Sequence, residues 1–97
     1  KPGIRTELNL VTGCESDTWL CWQERNGVFF FQVDSESRVV KGLAAFLLVL
    51  INAKSAQDIA ELDIEKMFAE AGLKKHLSPS RSNGFYALWS RVKLAVQ

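Results

Sequence analysis

The stretch TWLCWQERNGVFFFQV, Thr18–Val33, decides the first half of the fold. Its opening run is rich in β-forming residues with a two-residue period, which divides the side chains of a strand between two faces. One face carries Trp19, Cys21 and Gln23, and the other carries Leu20, Trp22 and Glu24. Asn26-Gly27 is the dipeptide that favours a tight hairpin turn, and VFFFQV follows as the return strand. The sequence therefore predicts an antiparallel β-hairpin.

Upstream of the hairpin, ELNLV (Glu7–Val11) alternates weakly and predicts a third short strand. Downstream, RVVKGLAAFLLVLINA predicts a central helix that is apolar almost all round from Leu43 and is covered on several sides. Asp34 and Ser35 are the candidate N-caps of that helix. Gly42 lies inside it at a cost of about 1 kcal/mol relative to alanine, which indicates close backbone packing.

Capping residues divide the remainder of the chain into further helices. Ser55 and Asp63 are predicted N-caps, and Gly72 is a predicted C-terminal stop. Ser78 followed by Pro79 predicts the start of a last helix that runs nearly to the end of the chain. Its apolar stripe consists of Phe85, Leu88, Trp89 and Val92. The predicted fold is α+β, with a small antiparallel sheet of about three strands packed on a helical layer.

Composition limits the classes of function. The chain has 97 residues, which fits one domain, and its 12 basic and 11 acidic residues give a net charge of +1. That balance does not predict nucleic acid or an anionic membrane as the partner. The most apolar run, Leu43–Ile51, is much shorter than the ~20 residues that span a bilayer. Two cysteines and one histidine do not make a structural zinc site or a dense disulfide framework. Because no signal peptide or membrane-spanning segment is recognisable, we expect a reducing cytoplasm, where a free thiol persists.

Cys14 is the first candidate for chemistry, because it follows Gly13 at what reads as the tip of a turn. A reactive thiol on a loop and an incidental surface cysteine remain alternatives, since reactivity depends on the surroundings of the sulfur. Cys21 lies in the middle of a predicted strand and is interpreted as a small buried hydrophobic residue. A Cys14–Cys21 bridge is not favoured by the cysteine count and spacing.

Arg81 is the second candidate, because it precedes Phe85 by four positions and so shares the apolar stripe of the last helix. It also lies in the first turn, where the helix dipole disfavours positive charge. It either serves an anion near that helix end or covers the core with its stem while its head reaches water. His76 offers a third hypothesis, a Cys14–His76 thiol enzyme, although no orienting Asn or Asp stands out.

Three stretches together resemble the SufE family of sulfur-acceptor proteins, which includes the CsdE branch. They are VTGCESDTWL (Val11–Leu20), DSESRVVKGLAAFLLVL (Asp34–Leu50) and LSPSRSNGF (Leu77–Phe85). Each is weak alone, but their combination, order and separation are specific, and the resemblance spans nearly the whole chain. It implies a compact α+β domain.

The resemblance also implies a function. SufE-like proteins activate a pyridoxal-phosphate cysteine desulfurase, accept its persulfide sulfur on their own cysteine, and pass the sulfur toward iron–sulfur cluster assembly. Cys14 corresponds to the accepting cysteine, and Arg81 to a family arginine near the cysteine loop. The implied partners are a SufS-type or CsdA-type desulfurase and a downstream iron–sulfur scaffold or other sulfur acceptor. Pyridoxal phosphate is expected in the desulfurase only, so we expect this chain to bind no cofactor.

One departure from the family pattern concerns the N-terminus. SufE-like proteins usually carry a helical segment before the cysteine loop, whereas only a short segment precedes Cys14 here, and the sequence opens without methionine. We therefore expect residues 1–97 to be a single SufE-like domain that lacks this segment, trimmed from a longer protein. A non-catalytic module that binds and regulates a desulfurase remains an alternative, as does the stand-alone thiol enzyme. We also expect Cys14 to be tucked against apolar residues at rest and swung outward on docking.

Overall fold

The β-hairpin forms the centre of a three-stranded antiparallel sheet with the strand order β1-β2-β3. This computed structural model describes residues 3–14, 16–77 and 79–97, with the side chains of residues 79–82 left aside. The strands are β1 (Thr18–Arg25), β2 (Val28–Ser35) and β3 (Lys54–Ser55). Asn26 and Gly27 both have positive φ, 53° and 83°, as the predicted hairpin turn requires. The predicted hairpin is confirmed.

The helical layer covers one face of this sheet. The described residues contain four α-helices, α1 (Arg38–Ile51), α2 (Ala56–Ala60), α3 (Ile64–Glu70) and α4 (Pro79–Ala95), and two short 3-10 turns, Glu7–Asn9 and Lys74–Leu77. Helix α1 packs on β2 and on α4, and α4 also reaches β1. The predicted α+β architecture is confirmed.

The predicted strand at Glu7–Val11 is wrong. Glu7–Asn9 forms a 3-10 turn, and the Asn9 side-chain amide donates to the Ile4 carbonyl at 2.9 Å, which curls the segment back on itself. Only Leu10 keeps a β-type pairing, an isolated antiparallel bridge to Trp19. Local side-chain hydrogen bonds of this kind compete with strand pairing.

The third strand is instead supplied by the segment after α1. The Phe31 backbone N–H donates to Asn52 Oδ1 at 2.7 Å, so this side chain takes the place of a strand residue. The Ala53 N–H then donates to the Phe29 carbonyl at 2.8 Å, and β3 pairs with the start of β2. The predicted number of strands is correct, although the identity of the third is not.

Helix α1 begins at Arg38, where the predicted helical stretch begins, but its N-cap is not one of the predicted residues. Its N-cap is Ser37, whose hydroxyl accepts from the Val40 N–H at 3.2 Å. Asp34 and Ser35 were the predicted caps, but β2 continues through Ser35 and leaves both residues outside the helix. The Asp34 carboxylate instead contacts Arg5 Nε at 2.8 Å and Lys41 Nζ at 3.4 Å.

Helix α1 is covered on several sides, as predicted, because it packs on β2 and α4 and its Phe46 packs against Phe68 of α3, but one face is open. Its buried residues are Val40, Leu43, Ala44, Leu47 and Ile51. On the other face, Val49 is 76% exposed. The predicted close packing at Gly42 is wrong, because a Cβ built there meets no atom within 4 Å.

The other predicted helix ends are mostly confirmed. The Ser55 hydroxyl accepts from the Asp58 N–H at 3.1 Å at the start of α2. The Asp63 carboxylate accepts from the Lys66 N–H at 3.1 Å at the start of α3. Gly72 adopts φ 77° after α3, as expected of a residue that ends a helix. The predicted Ser78 cap lies outside the described residues.

The core lies between the sheet and the helices. Phe68 of α3 packs at its centre, 4.9 Å from Phe46 and 5.0 Å from Phe85 between ring centroids. The predicted stripe of α4 is buried: Phe85, Leu88, Trp89 and Val92. In the described part of the chain, no helix is long and apolar enough to cross a membrane.

Candidate functional site: the Cys14 loop

Residues 12–14, 16 and 17 belong to a short loop, here called the Cys14 loop, that leads into β1. Its base is closed by the bridge between Leu10 and Trp19 and by a 2.8 Å hydrogen bond from the Val11 N–H to the Thr18 carbonyl. Gly13 has φ 91°, a conformation that side-chain-bearing residues rarely adopt, so the turn at this position requires glycine. The turn aims the following residue, Cys14, at helix α4.

The Cys14 thiol is half-buried and donates to the Gly84 carbonyl of α4 at 3.6 Å. A Cβ built at Gly84 would lie 3.8 Å from Cys14 Sγ and 3.2 Å from Val40 Cγ2 of α1. The second of these distances is tighter than an ordinary van der Waals contact. Gly84 is therefore the residue that lets the Cys14 loop, α4 and α1 meet at one point.

The rest of the loop follows the same face of α4. A Cβ built at Gly13 would lie 3.7 Å from Ala87 Cβ, one helical turn beyond Gly84. Because residues three apart are neighbours on a helix surface, Gly84 and Ala87 form one shallow strip of small residues. The loop lies along this strip, and Cys14 contributes to the hydrophobic core around it.

This placement shifts the thiol toward its protonated form. Burial raises the pKa of Cys14, the Thr18 hydroxyl partly offsets that effect, and the negative charge of Asp17 raises the pKa further. An ordinary cysteine with a pKa near ~8.5 is already only a few per cent thiolate at pH 7. The sulfur therefore rests as a neutral thiol of low reactivity.

Hydroxyl groups fix the other end of the loop to the start of α1. The Thr18 and Ser35 hydroxyls are buried and lie 2.8 Å apart, and Ser35 donates to the Asp17 carbonyl at 3.3 Å. The Glu36 N–H also donates to that carbonyl, at 2.9 Å. Since Ser35 Oγ accepts from the Ser37 N–H as well, the loop end and the α1 cap share one hydrogen-bond network.

One comparison assigns this fold to a family. A family model described as SufE, Fe-S metabolism associated domain, matches residues 1–96. The chain belongs to the SufE family. The predicted family is confirmed, and the membership associates this SufE protein with iron–sulfur metabolism.

The two cysteines of the SufE protein occupy different surroundings, and both are free thiols. Cys21 lies on the face of β1 that points away from the helical layer, and its Sγ contacts Gln32 Oε1 at 3.5 Å. The interpretation of Cys21 as a buried core residue is therefore wrong. The alternation of β1 gives the reason, because Leu20 takes the core-facing side and Cys21 shares the outer side with Gln23.

Arg81 falls within α4, three positions before Gly84, and its side chain lies outside the described residues. Its predicted role beside Cys14 therefore stays a prediction. His76 lies in the 3-10 turn Lys74–Leu77 and lines a surface groove with Arg38 and Leu73. The hydrogen bond found for the Cys14 thiol is the one to the Gly84 carbonyl, so the described geometry gives the Cys14–His76 hypothesis no support.

Sequence reasoning missed three residues of the site. Gly84 lies in the motif Leu77–Phe85, but the motif predicts no role for it. The signal for its role is that a glycine inside a helix costs about 1 kcal/mol and so indicates a close approach. Thr18 and Ser35 carried no such signal, because their hydrogen bond depends on the pairing of β1 with β2. The described residues contain no cluster of His, Cys, Asp or Glu that could hold a metal ion.

Proposed function

We propose that this SufE protein is a sulfur acceptor and carrier. In this proposal it takes persulfide sulfur from a cysteine desulfurase onto Cys14, stimulates that enzyme, and passes the sulfur toward iron–sulfur cluster assembly. The observation that supports it best is the half-buried Cys14 thiol, which lies on a loop and is hydrogen-bonded to the Gly84 carbonyl in a domain of this family. A cysteine needed only for packing has no reason to lie on such a loop.

The proposed reaction is the attack of a thiolate on the outer sulfur of a persulfide, a relative of thiol–disulfide exchange. Cys14 first loses its proton to a base or to solvent. Its sulfur then forms a bond to the outer sulfur of the desulfurase persulfide, while the bond between that atom and the desulfurase cysteine breaks. The desulfurase cysteine leaves as a thiolate and takes up a proton. Cys14 ends as a persulfide, and no external oxidant or reductant is consumed.

The contact of the Cys14 thiol with Gly84, together with the burial that raises its pKa, supports a proposal of two states for the loop. At rest the neutral thiol is protected, because oxidation of cysteine follows thiolate character and exposure. On docking, movement of the loop away from Gly84 removes the burial that raises the pKa. Each pKa unit recovered in this way corresponds to about 1.4 kcal/mol of interaction free energy, which contacts with the partner must supply.

Arg81 is proposed as the cation that stabilises the Cys14 thiolate or persulfide. Its position in α4, three residues before Gly84, puts it on the stretch of helix that the Cys14 loop approaches. We expect Arg81→Ala to slow sulfur transfer while the thermal unfolding midpoint stays near that of the wild type. Unfolding of the variant would instead favour a packing role for Arg81.

The proposed partner is a SufS-type or CsdA-type desulfurase, and the recipient is an iron–sulfur scaffold or another sulfur acceptor. Pyridoxal phosphate belongs to the desulfurase, where it supplies the chemistry that removes sulfur from free cysteine. In this proposal Cys14 acts without a cofactor held by its own chain, and the desulfurase supplies both the persulfide and the contacts that present the thiol.

The direct test is mass spectrometry of the protein after incubation with a desulfurase and free cysteine. We expect the Cys14 peptide to gain the mass of one sulfur atom. Cys21→Ser is the matched control and should retain the gain, whereas Cys14→Ser should lose it. A sulfur gain that persists in Cys14→Ser would refute the assignment.

The same variants separate the carrier from a regulatory module that only binds the enzyme. A carrier stimulates the desulfurase by removing its persulfide, so Cys14→Ser should abolish stimulation of cysteine turnover. Undiminished stimulation by Cys14→Ser would identify the module instead.

A further inference from the structure

A second surface feature lies on the first turns of α1, one residue away from Val40 of the Cys14 site. It is a groove between the first turns of α1 and the 3-10 turn Lys74–Leu77, with a volume of about 280 Å³. Its lining residues are Arg38, Val39, Gly42, Leu43, Leu73 and His76. Here it is called the α1 groove. Val39 is 40% exposed, and the site for a Cβ at Gly42 is open, so the floor is both apolar and accessible.

The α1 groove and the Cys14 site share one turn of helix. Val39 lines the groove, and the side chain of the next residue, Val40, packs against Gly84. Gly84 in turn accepts from the Cys14 thiol. A protein that covers the Cys14 loop to reach its sulfur therefore meets the α1 groove at the edge of the same contact.

The rim of the groove is positively charged. Arg38, Lys74 and Lys75 are all exposed. The ion pairs found among the described residues both use Asp34, with Arg5 and Lys41, and involve none of these three cations. The cationic rim is therefore available to charges on another molecule.

We infer that the α1 groove binds an acidic segment of the desulfurase that inserts one large apolar side chain between Val39 and Leu73. This inference rests on the proposed function and names the docking contact for the same site. The groove is smaller than the ~300–1,000 Å³ of typical ligand sites, which suits a single anchoring side chain. Buried apolar anchors carry most of the affinity of an interface, and complementary charge around them speeds association and fixes orientation.

The first test compares two substitutions in one helix. Val39→Glu places a carboxylate on the apolar floor, and Val49→Glu makes the same change at another exposed valine about 15 Å further along α1. The probe is a purified SufS-type desulfurase, with a CsdA-type enzyme tested in parallel. We expect Val39→Glu to raise the Kd at least about tenfold, which corresponds to ~1.4 kcal/mol, and Val49→Glu to leave it unchanged. Equal Kd values for the two variants overturn the inference.

The second test fills the groove without adding charge. A Cβ at Gly42 meets no atom within 4 Å, so Gly42→Met adds a flexible side chain at the groove with a gain in helix propensity. We expect a weaker complex formed by a more stable protein. Binding as tight as that of the wild type overturns the inference, because the anchor then does not need the space.

The third test addresses charge. Lys74→Glu/Lys75→Glu should slow association with the desulfurase and reduce its dependence on salt. Lys54→Glu/Lys66→Glu changes the net charge equally at exposed sites on β3 and α3 and is the control. Faster association of the Lys74/Lys75 variant, or an equal loss in both variants, overturns the acidic character of the partner segment.

Sulfur gain at Cys14 separates this inference from the proposed function. At saturating desulfurase, Val39→Glu should acquire sulfur as the wild type does, since Cys14 is intact. If the wild type binds through the groove but Cys14 gains no sulfur, the docking contact stands and the carrier function fails. If Cys14 gains sulfur and the groove variants bind normally, the carrier function stands and the docking contact fails. A wild type that binds neither desulfurase overturns both.

Discussion

Gly42 and Gly84 both lie inside long helices, yet their surroundings are opposite. A Cβ at Gly84 would lie 3.2 Å from Val40 and 3.8 Å from the Cys14 sulfur, whereas a Cβ at Gly42 would meet nothing within 4 Å. A glycine inside a helix is costly and therefore indicates a close approach, but it does not identify the approaching group. At Gly84 that group is the Cys14 loop of the same chain. At Gly42 the described part of the chain supplies none, and we assign the space to a partner.

The largest expected effect is at Gly84. Gly84→Leu forces a side chain into the contact between Val40 and Cys14, and overpacking of this kind costs about 1–3 kcal/mol. The least expensive relief is displacement of the Cys14 loop. We therefore expect a lower urea midpoint together with faster alkylation of Cys14 at pH 7.

Two controls make this result specific. Gly84→Ala should accelerate alkylation less, because a single methyl group requires Val40 to move by only a few tenths of an ångström, and its gain in helix propensity offsets the stability cost. Gly42→Leu carries the same added bulk and should leave Cys14 alkylation unchanged. If Gly84→Leu alkylates at the wild-type rate, Gly84 does not hold the thiol.

The next effect concerns the loop anchor. Thr18→Val keeps the side-chain shape but removes the buried hydroxyl that lies 2.8 Å from the Ser35 hydroxyl, and loss of such a partner costs about 1–3 kcal/mol. A double-mutant cycle with Ser35→Ala, measured by chemical denaturation, isolates the pair. We expect the double variant to lose clearly less stability than the sum of the single variants. Strict additivity would mean that the two hydroxyls do not act together.

A smaller effect of opposite sign is expected at Gly42. Gly42→Ala adds a methyl group in open space on α1 and removes the entropic cost of glycine, so stability should rise by up to about 1 kcal/mol. The thermal midpoint should increase while the alkylation rate of Cys14 stays constant. A destabilised Gly42→Ala would show that the groove floor is tighter than its geometry indicates.

The sequence alone predicts the features whose cause is local. The Asn26-Gly27 turn, the Ser55 and Asp63 caps and the buried stripe of α4 all depend on residues within one or two turns of one another. The third strand could not be predicted in this way, because Asn52 takes its place beside Phe31 only after α1 has crossed the sheet.

The candidate site also contains one feature with a local cause and others that depend on residues far apart in the sequence. Cys14 is recognisable from its loop and its motif, but its contact with Gly84 joins residues 70 positions apart. No local pattern distinguishes Gly84, which is packed, from Gly42, which is open. The Ser37 cap shows the same limit at shorter range, since the length of β2 decides which of three polar residues begins α1.

The smallest effect is the pH dependence that Cys14 contributes to stability. Burial raises the pKa of Cys14 in the folded state, so folding favours the neutral thiol. The resulting stabilisation is fully present below the pKa of the unfolded chain, near ~8.5, and is lost as pH rises through the folded pKa. Between about pH 7 and pH 10, the wild type should therefore lose more stability than Cys14→Ala, whose other titrating groups are the same.

Urea midpoints of both proteins across this range measure the difference, and a constant offset from the lost side chain does not affect its slope. In the Gly84→Leu background the loop is displaced, so the pH-dependent difference should shrink. A wild type that gains stability relative to Cys14→Ala as pH rises would show that the fold favours the thiolate. Cys14 would then be permanently reactive, and docking would have no protonated state to release.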